Sequence, residues 1–209
     1  MDIILLKVSK NVKWIELEGF MGCLDKAKRQ GVLTKKNDSD RINALLSRLL
    51  TLSELSERLG VPGRKIAFEF GPHGKPYVKG GGIQYSISHT KGAVCAGFSR
   101  FGEIGVDIER ADRKVNSSLR GRVLSDNECV RVRSDREFIE CWVKKEAFLK
   151  RTGIGLVGDL RGVDTTALPD TSALFCGEFL IGASGDNSAN AAVCEIALNE
   201  LLEKYVKRC

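Results

Sequence analysis

The sequence predicts a mixed α+β protein, and three observations bear on its architecture. Runs with apolar residues at every second position recur at residues 66–70, 83–87 and 104–108, and each reads as a half-buried strand. Segments with apolar residues three and four apart read as amphipathic helices, most clearly at 42–50 and 135–152. Gly92-Ala93-Val94-Cys95-Ala96 is echoed by Asn190-Ala191-Ala192-Val193-Cys194, each at the last clear strand of its half; four shared small or apolar residues fit coincidence as well as a repeat, and as a repeat they suggest related halves meeting near Phe101 with a cleft between them.

In chain order, residues 1–10 read as a strand, and 11–36 are mixed. Ile42, Leu45, Leu46, Leu49 and Leu50 define a helix capped by Asp38 or Ser39, with Arg41 and Arg48 on one flank. A second short helix over 53–59 ends at Gly60, with Pro62 beyond it. Ile66, Phe68 and Phe70 form a strand, and residues 71–76 form a turn rich in glycine and proline. The strand through Ile83, Tyr85 and Ile87 delivers His89 at its end, 92–99 is a compact apolar strand, and 104–109 follows a turn. Helices are expected within 116–124 and from Ser125. The best signalled helix covers 135–152, with the capping box Ser134-x-x-Glu137 at its start and Gly153 at its end. Residues 153–158 are a glycine-rich exit that lacks the Lys-Ser/Thr ending of a phosphate-binding loop. Strands near 174–176, 178–181 and 191–197 and a helix over 199–206 complete the chain.

A chain of 209 residues is long enough to bury a real core, and 43% hydrophobic with 29% charged residues is ordinary for a globular protein. The apolar run at 3–6 is too short for a signal peptide, so the expected location is cytoplasmic. Seven scattered cysteines without a C-x-x-C spacing argue for reduced thiols, and two histidines leave little for a zinc site. The net charge of +6 points to acidic partners: nucleic acid, a phosphorylated cofactor or an acidic protein.

The chemistry concentrates in residues 103–151. On a strand, Asp107 and Glu109 share one face about 6–7 Å apart while Ile104, Val106 and Ile108 face the core. Paired carboxylates repel unless a cation lies between them, and Gly105 on their side is expected to leave open space. Oxygen ligands favour Mg2+, with Mn2+ as a substitute. Glu146 and Lys150 are one helical turn apart and can pair, with Trp142 a turn earlier. Opposite the acidic strand, Glu146 could complete a metal shell and Lys150 could neutralise a phosphate oxygen. His89 could meet a phosphate through its ring N–H. Each feature also has a plain alternative: an exposed acidic edge, a surface ion pair, a packed histidine.

Asp107-x-Glu109 within Gly-Val-Asp-Ile-Glu, followed by Trp142-x-x-Lys145-Glu146-Ala147-x-x-Lys150, resembles the signature pair of the 4'-phosphopantetheinyl transferases. Gly74-Lys75-Pro76 and Ile87-Ser88-His89-Thr90 resemble that family's upstream motifs, with Thr90 at a usual serine, and Arg41 with Ala44-Leu45-Leu46 resembles its arginine helix. The resemblance runs over residues 40–158 and is closest to the two-lobed, monomeric surfactin-synthetase type. It implies two lobes related by a pseudo-twofold axis, 1–102 and 103–209, with coenzyme A in the cleft. It implies transfer of 4'-phosphopantetheine to a serine of an acidic acyl or peptidyl carrier protein, releasing adenosine 3',5'-bisphosphate. Asp107, Glu109 and Glu146 would hold Mg2+; Glu146, Lys150 and Asp107 would be catalytic. Arg41, Gly74, Lys75, Pro76, Ser88, His89, Lys145 and Lys150 would contact coenzyme A, with Lys26, Lys28 and Arg29 as further candidates for its phosphates. Neither nucleic acid nor membrane is implied as a partner. The rival readings are a non-catalytic basic nucleic-acid-binding module, which leaves Asp107 and Glu109 unexplained, and a Mg2+-dependent phosphohydrolase.

Overall fold

The computed structural model describes residues 1–155 and 159–208, apart from the side chains of Cys23 and Arg208; Leu156, Val157 and Gly158 of the glycine-rich exit, and Cys209, lie outside the described residues. The first half runs β1 (Asp2–Lys7), α1 (Trp14–Leu17), α2 (Lys26–Leu33), α3 (Asp38–Leu59), β2 (Phe68–Phe70), β3 (Pro76–Val78), β4 (Gln84–Thr90) and β5 (Ala93–Ser99). It is followed by β6 (Gly105–Arg110), α4 (Ser117–Val123), α5 (Asp126–Arg131), α6 (Asp135–Thr152), β7 (Thr171–Cys176), β8 (Phe179–Ser184), β9 (Ala192–Ile196) and α7 (Leu198–Arg208). The predicted α+β class holds.

Two sheets, ordered β4-β5-β1-β9 and β6-β8-β7, pack face to face, and β2-β3 form a separate hairpin. The period of two sorts their side chains. From β1 and β5, Ile3, Leu5, Ala93 and Cys95 meet Val106, Ile108, Phe179, Ile181 and Ala183 of the second sheet. The alternate residues Ile4, Leu6, Val94, Ala96 and Phe98 turn outward onto α3. On the far side of the second sheet, Phe138, Ile139 and Val143 of α6 cover Leu180. The layers are therefore helix, sheet, sheet, helix.

Where two helices were expected over 40–59, α3 is continuous. Its cap is Asn37, whose side chain accepts from Asp40 N, and Gly60 ends it at φ 69°. The apolar stripe runs on through Leu52 and Leu55, both buried, and Thr51 folds its hydroxyl back on Ser47 O at 2.8 Å, so nothing interrupts the helix.

The end of the chain departs from the expected 1–102 and 103–209 division. β9 pairs in parallel with β1, from Asp2 opposite Ala192 to Leu6 opposite Ile196. Leu201 and Tyr205 of α7 join the core around α3, and Lys204 binds Glu54 at 2.6 Å and Glu57 at 2.5 Å. Residues 192–208 thus pack with the first sheet, and the second sheet is an excursion of the chain between them. The echo of 92–96 in 190–194 also loses its meaning as a repeat. β5 and β9 flank β1 in one sheet, but β5 is buried from Ala93 to Phe98 while β9 is largely exposed. No helix among the described residues is long and apolar enough to cross a membrane.

Candidate active site at the seam of the sheets

The edge strands β4 and β6 meet where the two sheets join, and the residues of interest lie along that seam. Val106 and Ile108 point into the core between the sheets, which turns Asp107 and Glu109 toward α6 as the alternation predicts. Across the seam, Val106 N–H donates to Ser86 Oγ at 3.0 Å, Ser88 Oγ donates to Asp107 Oδ1 at 2.7 Å, and Thr90 Oγ1 donates to Glu109 Oε1 at 2.6 Å.

Gly105 does not leave open space. A Cβ there would stand 1.9 Å from Ala147 O and 2.5 Å from Arg151 N, and one at Gly182 would stand 2.0 Å from Val143 O. The backbone of α6 therefore lies directly on β6 and β8, a contact that only glycine permits. This approach brings Glu146 and Lys150 to the acidic strand. Lys150 Nζ bonds Asp107 Oδ1 at 2.7 Å, rather than its helical neighbour Glu146. Glu146 is 8% exposed, and its Oε1 is buried without a hydrogen-bond partner. Burial, followed by the negative charge of Asp107, raises its pKa, while the Lys150 cation pulls it back.

The remaining predicted residues divide. His89 extends from the face of β4 that Tyr85 and Ile87 use to reach α3. The residue as a whole is exposed, yet the protein around it removes enough water to lower its pKa, and the Lys150 and Lys35 cations act in the same direction. It is thus biased toward the neutral imidazole, beside Lys150. Gly74, Lys75, Pro76, Ser86, Lys150 and Gly153 line a cavity of about 250 Å3. Within it Lys75 Nζ is held by Arg151 O at 2.7 Å and by the Glu103 carboxylate, so in this arrangement it ties the turn to the end of α6. Arg41 pairs with Asp38 at 2.8 Å, and its Nε is buried without a partner. Arg48 donates back to Ala44 O at 2.7 Å. Lys28 pairs with Asp25, and Arg29 binds Leu24 O at 2.7 Å.

Lys145 is a correction. It is 0% exposed, and its ammonium is consumed by Glu128 Oε2 at 2.6 Å, Val123 O at 2.5 Å and Leu160 O at 2.9 Å. An ammonium has three donors, so none remains for coenzyme A. Thr165 completes the cluster by donating its backbone N–H and hydroxyl to Glu128 Oε1 at 2.9 and 2.6 Å. Sequence reading missed Glu128. Its spacing from Ser125 does signal a capping box, which forms, but nothing local shows that the same carboxylate faces Lys145. Arg113 was also missed; it pairs with Glu109 and lies over the Trp142 ring, 5.7 Å from its centroid.

Among the described residues, no three His, Cys, Asp or Glu side chains converge as a ready-made metal shell. The donors present nonetheless suit Mg2+, which commonly takes one or two carboxylates and completes its octahedron with water and substrate phosphates. The buried, unpartnered Oε1 of Glu146 beside Asp107 is an oxygen that a hard cation would satisfy. Glu109 is farther committed, accepting from Thr90, from Arg110 N at 2.8 Å and from Arg113.

Residues 103–194 match the family model of the 4'-phosphopantetheinyl transferase superfamily, which bears out the resemblance over that segment. The chain is 26% identical over 147 residues to a Xenopus laevis L-aminoadipate-semialdehyde dehydrogenase-phosphopantetheinyl transferase, covering 61% of this chain and 49% of that protein. It is 30% identical over 134 residues to a Synechocystis protein carrying the name of a 4'-phosphopantetheinyl transferase, covering 59% and 54%. With the Saccharomyces cerevisiae protein named as in Xenopus, identity is 27% over 176 residues, covering 76% and 65%. The chain spans about half the length of the first two of these curated relatives.

Proposed function

We propose that this chain is a two-lobed 4'-phosphopantetheinyl transferase of the surfactin-synthetase type, acting in the cytoplasm as a monomer. It moves the 4'-phosphopantetheine group of coenzyme A to a serine of an apo acyl or peptidyl carrier protein and releases adenosine 3',5'-bisphosphate. The observation that carries the reading is the pairing of Asp107 with a buried, unpartnered Glu146 beside Lys150, across the seam from His89. Two acids that could hold a metal, with a lysine and a histidine close by that could meet phosphates, support that reading.

Mg2+, held by Asp107 and Glu146 with Glu109 in support, would neutralise pyrophosphate oxygens and favour departure of the nucleotide. The chain's own groups do the remainder. Glu146, directly or through a water, would accept the serine proton. As that proton leaves, serine Oγ bonds to the phosphorus carrying pantetheine, and the bond from this phosphorus to the departing nucleotide oxygen breaks. Lys150, released from Asp107, compensates the charge on the departing phosphate. His89 and Arg41 meet the phosphates on the adenosine side, and the 250 Å3 cavity at Gly74 and Pro76 takes the base. The net charge of +6 suits an acidic carrier.

Incubation with coenzyme A, Mg2+ and apo carrier proteins should add the mass of one phosphopantetheine group to the carrier. No gain with acyl and peptidyl carriers alike would refute the assignment. Release of product from coenzyme A without any carrier would favour the phosphohydrolase.

A further inference from the structure

We propose that Thr90 and Ser88 are positioning residues for the acidic pair: each clamps one oxygen of a carboxylate so that the other is presented to a divalent cation. The proposal rests on the reading of Asp107 and Glu109 as metal ligands, and it concerns what aims them.

The two strands at the seam belong to different sheets, and side chains bridge them. Ser86, Ser88 and Thr90 alternate with Tyr85 and Ile87, which pack toward α3, so all three hydroxyls share one face of β4. Ser86 accepts from the buried N–H of Val106, a bond that the fold alone requires. The other two reach acidic side chains. On Asp107, the Ser88 hydroxyl and Lys150 both bind Oδ1, each at 2.7 Å. On Glu109, the Thr90 hydroxyl at 2.6 Å and Arg110 N–H at 2.8 Å both bind Oε1. In each carboxylate two donors hold one oxygen and thereby fix the plane of the group. The second oxygen of Glu109 meets only the Arg113 guanidinium among the described residues. Arg113 is its most exposed partner, at 39%, and the Trp142 ring offers it another resting place. Threonine suits the clamp because its branched Cβ narrows the choice of χ1 and so stiffens the direction of the hydroxyl.

Hydrogen bonds behind metal ligands set their orientation, and losing one costs about 10–100-fold in metal affinity. The test measures Mn2+ binding by calorimetry at coenzyme A concentrations that saturate each variant, alongside melting temperature in chelator. Thr90→Val, nearly isosteric but without the hydroxyl, should bind Mn2+ about 10–100-fold more weakly, with its metal-free melting temperature near the wild type. Thr90→Ser should recover most of the affinity. Ser88→Ala should show the same loss through Asp107, and it carries the test should Thr90→Val fail to fold. Wild-type Mn2+ affinity in Thr90→Val or in Ser88→Ala overturns the positioning role alone. So does a fall in metal-free melting temperature with affinity unchanged. A wild-type protein that binds no Mn2+ overturns the reading of Asp107 and Glu109 as ligands, and this proposal with it.

Discussion

Replacing Gly182 with alanine would add one methyl group where the structure has no room for it. Gly182 lies outside the left-handed region, so the backbone accepts alanine and any effect is steric. The new Cβ would stand 2.0 Å from Val143 O and 2.4 Å from Val143 C, against about 3.5–4.0 Å for an unstrained contact. Helix α6 and strand β8 must therefore separate by more than about 1 Å. Both clashing atoms are backbone, so no side chain can rotate away. Overpacking of this kind costs about 1–3 kcal/mol. For a chain of this size that lowers the melting temperature by about 2–4 °C per kcal/mol. The functional cost should be larger. Gly182 is the cross-strand partner of Asp107, and the displaced helix carries Glu146 and Lys150, so the separation opens the site at its centre. A misplacement of about 1 Å in reacting groups can cost about 100-fold in rate. Urea denaturation gives the stability, and carrier mass gain per folded molecule gives the rate. Wild-type stability together with wild-type transfer would refute the close seating of α6. Lost stability with transfer unchanged would refute its role in aiming the site.

Three further predictions follow from the same geometry. Glu146→Gln should abolish transfer yet stabilise the metal-free protein at neutral pH, by on the order of 1–3 kcal/mol, because a buried unpartnered charge is removed. The folded pKa of Glu146 is raised above 4.5, so the folded state favours the protonated form and wild-type stability falls as pH rises through that raised value. The gap in melting temperature should thus be wide at pH 7.5 and narrow near pH 4.5; an equal gap at both would contradict the shift. Lys145→Met should cost about 3–5 kcal/mol in urea denaturation by stranding Glu128, and Lys145→Met with Glu128→Gln should cost less, because glutamine removes the stranded charge yet keeps an acceptor for Thr165; weakened coenzyme A binding at unchanged stability would instead return Lys145 to the substrate. Lys75→Met should destabilise the protein without coenzyme A by on the order of 1–3 kcal/mol in urea denaturation, since Arg151 O loses its donor; unchanged stability would show that the tie to α6 is dispensable.

The sequence by itself determined most of the strands and helices and singled out the residues of the candidate site. Alternation placed Asp107 and Glu109 opposite Val106 and Ile108, the capping box at Ser134 and glycine at 153 bounded α6, and the spaced motifs named Glu146, Lys150 and His89. The first two signals are local, because they follow from the period of a strand and from the chemistry of a helix's ends; the third rests on resemblance to a family. Tertiary structure decided which partner each side chain meets. Lys150 lies one turn from Glu146 yet binds Asp107, because the glycines at 105 and 182 let α6 sit on β6. Lys145 stands inside the motif but faces away from the site, toward Glu128 on another helix. Residues 192–208 return to the first sheet because β1 offers them an edge and α3 an apolar face. The hydroxyls of Ser88 and Thr90 meet carboxylates from another sheet. Contacts of this kind depend on how sheets and helices stack, and a period along the chain carries no information about what stands across it.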